Sequence, residues 1–451
     1  MEKKKFKLSS AILSVICVIF VAEAAAPVAA IGNSQYFWWI FMIIAFLLPY
    51  GLISAELGTS YPSEGGLYDW ITKAFGRKWG SRAAWYYWIN FPLWMASLAV
   101  MVPDLITLIF GIELSLFVSV AIQLAFVWIV VWISLYPVCD SVWILNGAAA
   151  IKVILAVAIG ALGIYGMMQN GLANPFHAAD LLPSFDVDSL SLISVIIFNM
   201  LGFEVICTFA DDMENPTKQI PQAIIIGGFV IAAIYIFSAF GISAAIPFEE
   251  IGMASGLTDA FMILLNTETG PIIALVAFLF LLTLFGNMIS WSLGVNNTAC
   301  YAAENGALPA VFSKRSEKND MPVGSAVMNG IVASIVVILG IFLGDSDLFW
   351  AFFALNLVSF LASYIMMFPS FLKLRKMDPD TPRVFKVPGS DSMLKVLAYV
   401  PMLLIIISII FTAVPLSFDP ETLAATLPIT IGFAICLVIG ELIIAVKKIK
   451  D

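Results

Sequence analysis

Residues 8–31 read LSSAILSVICVIFVAEAAAPVAAI. A helix needs about 20 mostly apolar residues to cross a bilayer, and this run is long enough. Yet it carries an acid, Glu23, near its middle and a proline, Pro27, one turn later. Pro27 lacks a backbone donor and clashes with the preceding turn. A bent or interrupted helix is therefore expected, with free backbone groups beside a carboxylate. Inside a membrane such a break survives only where it lines a cavity or packs against protein.

The rest of the chain is built in the same way. Of its 451 residues 61% are hydrophobic and only 12% charged, and the mean hydropathy is +1.00. Soluble domains carry about 25% charged residues, so soluble enzymes, disordered chains and nucleic-acid binders are excluded. Twelve apolar runs long enough to span are read: 8–31, 36–57, 82–111, 114–136, 142–168, 190–210, 220–246, 271–300, 324–344, 347–371, 394–415 and 426–446. The polar gaps leave no room for a soluble domain, so residues 1–451 read as one transmembrane domain. Long continuous runs also exclude a β-barrel, whose strands are short and alternating. Five scattered cysteines without CxxC spacing suggest neither a disulfide framework nor a zinc site. A single histidine, His177, cannot build a His-based metal site. No metal, cofactor or enzyme chemistry is implied.

Charge gives the orientation. With twelve crossings, every Lys and Arg except Lys152 falls on one side. The opposite loops carry Glu113, Asp180, Asp186, Asp188, Glu249, Glu250 and Asp259. The positive-inside rule then puts both termini in the cytoplasm of a multi-pass cytoplasmic-membrane protein. One rival is a cleavable signal peptide, since a lysine-rich start and an apolar run precede Ala22-Glu23-Ala24. Cleavage there would leave eleven crossings and move the basic loops to the wrong side.

Ionisable residues at bilayer depth are costly and usually functional. Glu23, Asp104, Lys152 and Glu204 are the candidates, whereas Glu56, Asp211, Asp212 and Glu441 lie nearer span ends, where a solvated position is expected. Glu204 follows Gly202 in the sixth run, so a second interruption is expected there. If runs 1–5 and 6–10 are repeats, the two acids correspond, and paired broken helices point to a transporter binding site. Lys152 could neutralise at most one of them, which leaves a cationic ligand or a proton to balance the other. Asp104, beside Pro103, divides between an outer vestibule for cations and a solvated end. Trp85, Tyr86, Tyr87, Trp88, Phe91 and Trp94 crowd the third run, and packing is the default role for each. Trp291 stands apart because Asn287, Ser290 and Ser292 surround it, and aromatic faces attract cations.

Three motifs resemble the amino acid–polyamine–organocation superfamily of transporters over nearly the whole chain. The first is Tyr61-Pro62-Ser63-Glu64-Gly65-Gly66-Leu67-Tyr68-Asp69-Trp70 with Ala74-Phe75-Gly76. The second is Gly202-Phe203-Glu204, then Glu214-Asn215-Pro216 and Ile220-Pro221-Gln222-Ala223-Ile224. The third is Ala302-Ala303-Glu304-Asn305-Gly306-Ala307-Leu308-Pro309 with Pro322-Val323. The resemblance implies an all-α integral membrane fold of 12 transmembrane helices. It would be a LeuT-like 5+5 inverted repeat (8–168 and 190–371) with helices 1 and 6 broken, plus two extra helices (394–446), working by alternating access.

One departure from that family is informative. Amino-acid members usually carry a Gly-Ser-Gly-like stretch at the break of helix 1, whose bare amides hold the substrate carboxylate. Here the aligned residues are Glu23-Ala24-Ala25. Like charges at about 4 Å and an effective dielectric near 20 repel by roughly 4 kcal/mol, which weakens binding by about three orders of magnitude. The same acid attracts an ammonium group. The implied substrates are amines such as putrescine, cadaverine, agmatine or tyramine, and two acids suit a dication. The resemblance is nearest to agmatine–putrescine antiporters.

Through that resemblance Trp291 aligns with an aromatic that stacks on guanidinium, and Phe198 with an aromatic gate. Asn90, Phe91, Trp94 and Met95 align near the helix 3 pocket wall, and Asn356 and Ser359 are candidates from helix 10. Lys152 lies where sodium-independent members often carry a lysine, and a tether to helix 1 or helix 8 carbonyls and a purely structural role both stay open. The alternative function is an amino-acid permease or a tyrosine–tyramine type exchanger in which Glu23 carries protons. The expected partners are small cationic amines and the lipid bilayer, with room for a homodimer.

Overall fold

The computed structural model describes residues 19–63, 65–136, 142–183, 185, 187–203, 215–343 and 347–449, with positions 8, 12 and 16. Among these residues the secondary structure is helical throughout, with no strand. After a 3-10 turn at Ala22–Ala24 come α1 (Ala25–Ala30), α2 (Gln35–Ser60), α3 (Leu67–Phe75) and α4 (Arg77–Phe110). Next are α5 (Leu116–Ser134), α6 (Val142–Asn170), α7 (Val187–Phe198), α8 (Pro216–Ala245) and α9 (Gly256–Leu264). The chain continues with α10 (Pro271–Glu304), α11 (Val323–Gly340), α12 (Leu348–Tyr364) and α13 (Met367–Met377). It ends in α14 (Asp391–Ala413) and α15 (Pro420–Val446).

Ten stretches among the described residues are long and apolar enough to cross a membrane, with α12 and α13 counted as one. They coincide with ten of the twelve expected runs. The other two, 8–31 and 190–210, extend into residues outside the described set, and their described parts are short helical pieces. The protein is a multi-pass, all-helical membrane protein.

Prolines explain the local irregularities. Pro49 sits just after a π-helical stretch at Ile43–Leu47 inside α2, where its missing donor and ring displace the ladder by one residue. Pro369, near the start of α13, follows the turn at 365–366 that separates α12 from α13. Pro27 lies in the first turn of α1, where its absent N–H costs nothing because first-turn donors have no intrahelical partner. The helix therefore restarts just before Pro27, and the irregular backbone falls at Phe20 and Val21.

Helix α4 is the centre of the bundle. It packs along both α12 and α10, while α6 packs along both α8 and α10. Its residues 83–99 are buried without exception, so the crowded aromatics of the third run are core. Trp85 donates from its indole to the Cys436 carbonyl at 2.8 Å, and Trp88 stands edge-on to Phe312 with centroids 4.5 Å apart. Lipid-facing positions of α5, α11 and α15, such as Phe117, Ile335 and Ile435, are exposed.

Glu56 corrects an expectation. Its place near the end of α2 suggested solvent, but it is 2% exposed. Arg375 grips both carboxylate oxygens, Arg383 Nε lies 3.2 Å from Oε1, and the Val387 N–H donates to Oε2 at 2.6 Å. Glu441 follows the expectation: it is solvent-accessible and forms a forked pair with Arg82 at 2.6 and 2.9 Å. Asp211 and Asp212 lie outside the described residues.

Candidate functional site

The interrupted segment of the first run carries Glu23 in its 3-10 turn, 1% exposed. Asn287 of α10 holds the carboxylate: its Nδ2 lies 2.9 Å from Oε1 and 2.8 Å from Oε2. The indole of Trp94 is a further polar neighbour of that carboxylate. Lys152 of α6 is fully buried and donates to the Phe20 carbonyl at 2.9 Å. The lysine thus tethers the broken backbone three residues before Glu23, and its charge also reaches that carboxylate.

Beside this turn four aromatic rings close a circuit. Trp94 of α4 meets Trp291 of α10 at 5.8 Å, and Trp291 meets Phe360 of α12 at 5.6 Å. Phe360 meets Phe198 of α7 at 5.7 Å, and Phe198 returns to Trp94 at 5.6 Å. Every junction is edge-to-face, the geometry favoured by ring quadrupoles. Such rings present electron-rich faces suited to ammonium and guanidinium groups.

The second interruption follows Phe198. Helix α7 ends there, and the chain passes through Gly202 at φ +99°, a conformation that glycine adopts without penalty. A Cβ at Gly202 would also sit 3.0 Å from Trp291 Cη2. Glu204 itself lies outside the described residues.

Some of the buried polar atoms with no hydrogen-bond partner among the described residues lie on, or next in sequence to, the helices that carry the box. Both amide atoms of Asn356 and of Asn199 are in this state, as is Asn287 Oδ1. Asn356 shares a face of α12 with Phe353 and Phe360, and Phe353 meets Phe198 at 5.5 Å. Buried polar groups are normally paired, so unpaired amide atoms on the elements that carry the carboxylate's partner and the aromatic box suit a polar ligand.

The structure therefore brings together Glu23, Trp94, Phe198 and Trp291, with Asn356 on the neighbouring face of α12. Asn90 is buried one turn before Trp94 and turns its amide onto the Tyr87 carbonyl. Phe91 and Met95 are buried on a rotated face of the same helix. The Ser359 hydroxyl bonds back to the Leu355 carbonyl at 2.9 Å and neighbours Cys436 of α15. Asp104 is exposed and senses the charge of Asp259. Partial burial pushes the Asp259 carboxyl above its ordinary range, with the neighbouring Asp104 charge close by and the Ser255 hydroxyl donating to it.

Sequence reasoning passed over Phe360, Tyr235 and Tyr50 and did not assign Asn287 a role. The Phe353, Asn356, Phe360, Tyr364 spacing places these side chains along one stripe of α12 and is a signal that could have found Phe360.

The sequence matches the amino acid permease family over residues 6–440. The chain belongs to that family. It is 65% identical over 445 residues, 99% of this chain and 96% of the relative, to a Lactococcus lactis protein named "Probable agmatine/putrescine antiporter". It is 26% identical over 91% of both chains to an uncharacterised transporter of Legionella pneumophila. A glutamate/gamma-aminobutyrate antiporter of Lactococcus lactis is 20% identical over 82% of this chain and 76% of its own. These relatives are named as transporters, and the chain is a permease-family transporter rather than an enzyme.

Proposed function

We propose that this permease exchanges agmatine for putrescine across the cytoplasmic membrane by alternating access. One observation carries the reading: Glu23, buried in the interrupted first span, is bound by the neutral amide of Asn287 and adjoins an aromatic box. A carboxylate taken out of water is tolerated when an opposite charge offsets its desolvation, and a substrate amine supplies one. The same carboxylate repels an amino acid's carboxylate at that position. The 65% identical relative, named for agmatine and putrescine, supports the same substrate class.

In this reading Glu204 is the second acid, and Asn90, Trp94, Phe198, Trp291 and Asn356 line the substrate path. Phe91, Met95 and Ser359 support it from behind. Lys152 tethers span 1 where other transporters use a metal ion. Asp104 with Asp259 forms an acidic outer vestibule, and both termini are cytoplasmic.

The paired arrangement of five-helix repeats is supported by packing. The third run packs on the tenth (α4 on α12) and the eighth on the fifth (α10 on α6), contacts that exchange under a shift of five spans. It is also supported by a shared pattern, Asn90-x-x-x-Trp94 in α4 and Asn287-x-x-x-Trp291 in α10.

Proteoliposomes loaded with putrescine should accumulate labelled agmatine, with arginine a poor competitor. Arginine or neutral amino acid uptake without diamine exchange would sink the proposal. Uptake of a single amine driven by a pH gradient, lost in Glu23→Gln while binding survives, would favour the proton-carrier alternative.

A further inference from the structure

Two tyrosines hold the two interrupted backbones in matching ways. Tyr235 of α8 accepts a hydrogen bond from the Val21 N–H at 2.9 Å and donates to the Val21 carbonyl at 3.1 Å. Tyr50 of α2 accepts from the Gly202 N–H at 3.0 Å. Val21 precedes Glu23 by two residues, and Gly202 precedes Glu204 by two. Helices α2 and α8 are the second and seventh spans, so the two tyrosines also exchange under a shift of five spans. Each is fully buried.

The rings are fixed. Tyr235 lies against Phe20 at 4.7 Å and stacks on Trp39 at 5.5 Å, 19° from parallel. Tyr50 stacks on Phe46 at 5.7 Å, 18° from parallel, and meets Tyr364 edge-on at 5.9 Å. A hydroxyl on such a ring has little freedom, so the peptide it holds is fixed in turn. The Ala24 N–H closes the 3-10 turn onto the same Val21 carbonyl at 3.3 Å. The turn that carries Glu23 is thus anchored at its first residue by Tyr235.

A packing role alone would need only the ring, which phenylalanine supplies. The hydroxyls do something else: they satisfy backbone groups that a broken membrane helix leaves without partners. We infer that Tyr235 and Tyr50 are a symmetry-related pair of positioning residues that set the register of the two interrupted segments for substrate. The inference rests on the proposed site and adds two residues that are not among the four rings of the aromatic box.

The test compares Tyr235→Phe, Tyr50→Phe and wild type in three measurements. In putrescine-loaded proteoliposomes Tyr235→Phe and Tyr50→Phe should each raise the KM for agmatine roughly tenfold, with the maximal rate changing under about twofold in both. Each variant leaves buried backbone groups unpaired, so the thermal midpoint without substrate should fall modestly. Hydrogen–deuterium exchange without substrate should show faster exchange at Val21 in Tyr235→Phe and at Gly202 in Tyr50→Phe. That last measurement needs no transport, so it judges the anchoring even if wild type fails to exchange diamines and the functional proposal falls. Unchanged exchange at Val21 in Tyr235→Phe overturns the inference. So does a lowered thermal midpoint with unchanged KM, which marks a structural role only.

Discussion

Glu23 and Glu56 are both buried carboxylates, 1% and 2% exposed, and the protein treats them in opposite ways. Glu56 is surrounded by charge and donors: two guanidinium groups and a backbone N–H, all from the 367–387 region. Glu23 is bound by a neutral amide, and its lysine neighbour donates to a carbonyl of the chain. Asn356 and Asn199 keep amides without partners among the described residues. A closed network joins two pieces of structure, here the end of α2 and the segment after α13. The difference separates an acid bonded by two guanidinium groups from one bonded by a neutral amide, although both look equally anomalous by burial.

The strongest way to break this contrast is to neutralise each acid in turn. Glu23→Gln keeps the shape and the Asn287 contact but removes the charge. Removing one partner of a buried charge pair weakens binding by 2–5 kcal/mol or more, so diamine exchange should fall about a hundredfold or beyond, with the thermal midpoint close to wild type. Glu56→Gln should do the reverse. It strands Arg375 and Arg383, and an uncompensated buried charge costs about 3–5 kcal/mol of stability. A lowered thermal midpoint in detergent, with the KM of the surviving protein unchanged, is the expected result. If Glu56→Gln raised the KM and left stability alone, the contrast would be wrong.

A smaller effect sharpens the Glu23 side. Cation–aromatic contacts are worth about 1–2 kcal/mol when desolvated. Trp291→Leu should therefore raise the KM for agmatine by roughly five- to thirtyfold, and Trp291→Phe by less. Equal losses in the leucine and phenylalanine variants would point to simple packing, since Trp291 also closes against Gly202.

Much of the Glu23 side was legible in the sequence because its clues are local. An acid one turn before Pro27, a glycine before Glu204, and Trp291 among polar neighbours each announce themselves within a few residues. The long apolar runs announced the spans in the same way. What failed to show was what depends on distant partners. Asn287 is 264 residues from Glu23, and Tyr235 is 214 from Val21. The pattern Asn-x-x-x-Trp recurs in α4 and α10, but its meaning appears only when those helices pack. Glu56 was misread for the same reason: position along a span suggests solvent, while Arg375 arrives from 319 residues away. Ser359 was a candidate from the tenth run, and on α12 its hydroxyl bonds the Leu355 carbonyl and neighbours Cys436 of α15. A helix has several faces, and spacing alone does not say which face meets which neighbour.

The smallest expected effect concerns the outer acids, which belong to neither class. Asp104 and Asp259 lie close enough to repel one another without a cation between them, and partial burial raises the Asp259 carboxyl above its ordinary range. If they draw dications toward the Glu23 site, their influence is on encounter, and it is screened by salt. Asp259→Asn should raise the agmatine KM about twofold at low ionic strength and not at all near 1 M salt, where the screening length is about 3 Å. The sign with pH follows from the raised carboxyl. Its charge is lost as external pH falls through the raised value. The difference between wild type and Asp259→Asn should therefore shrink on acidification, because wild type loses the charge that the variant already lacks. A difference that persists in high salt or grows in acid would mean that Asp259 acts through the fold of α9, not through its charge.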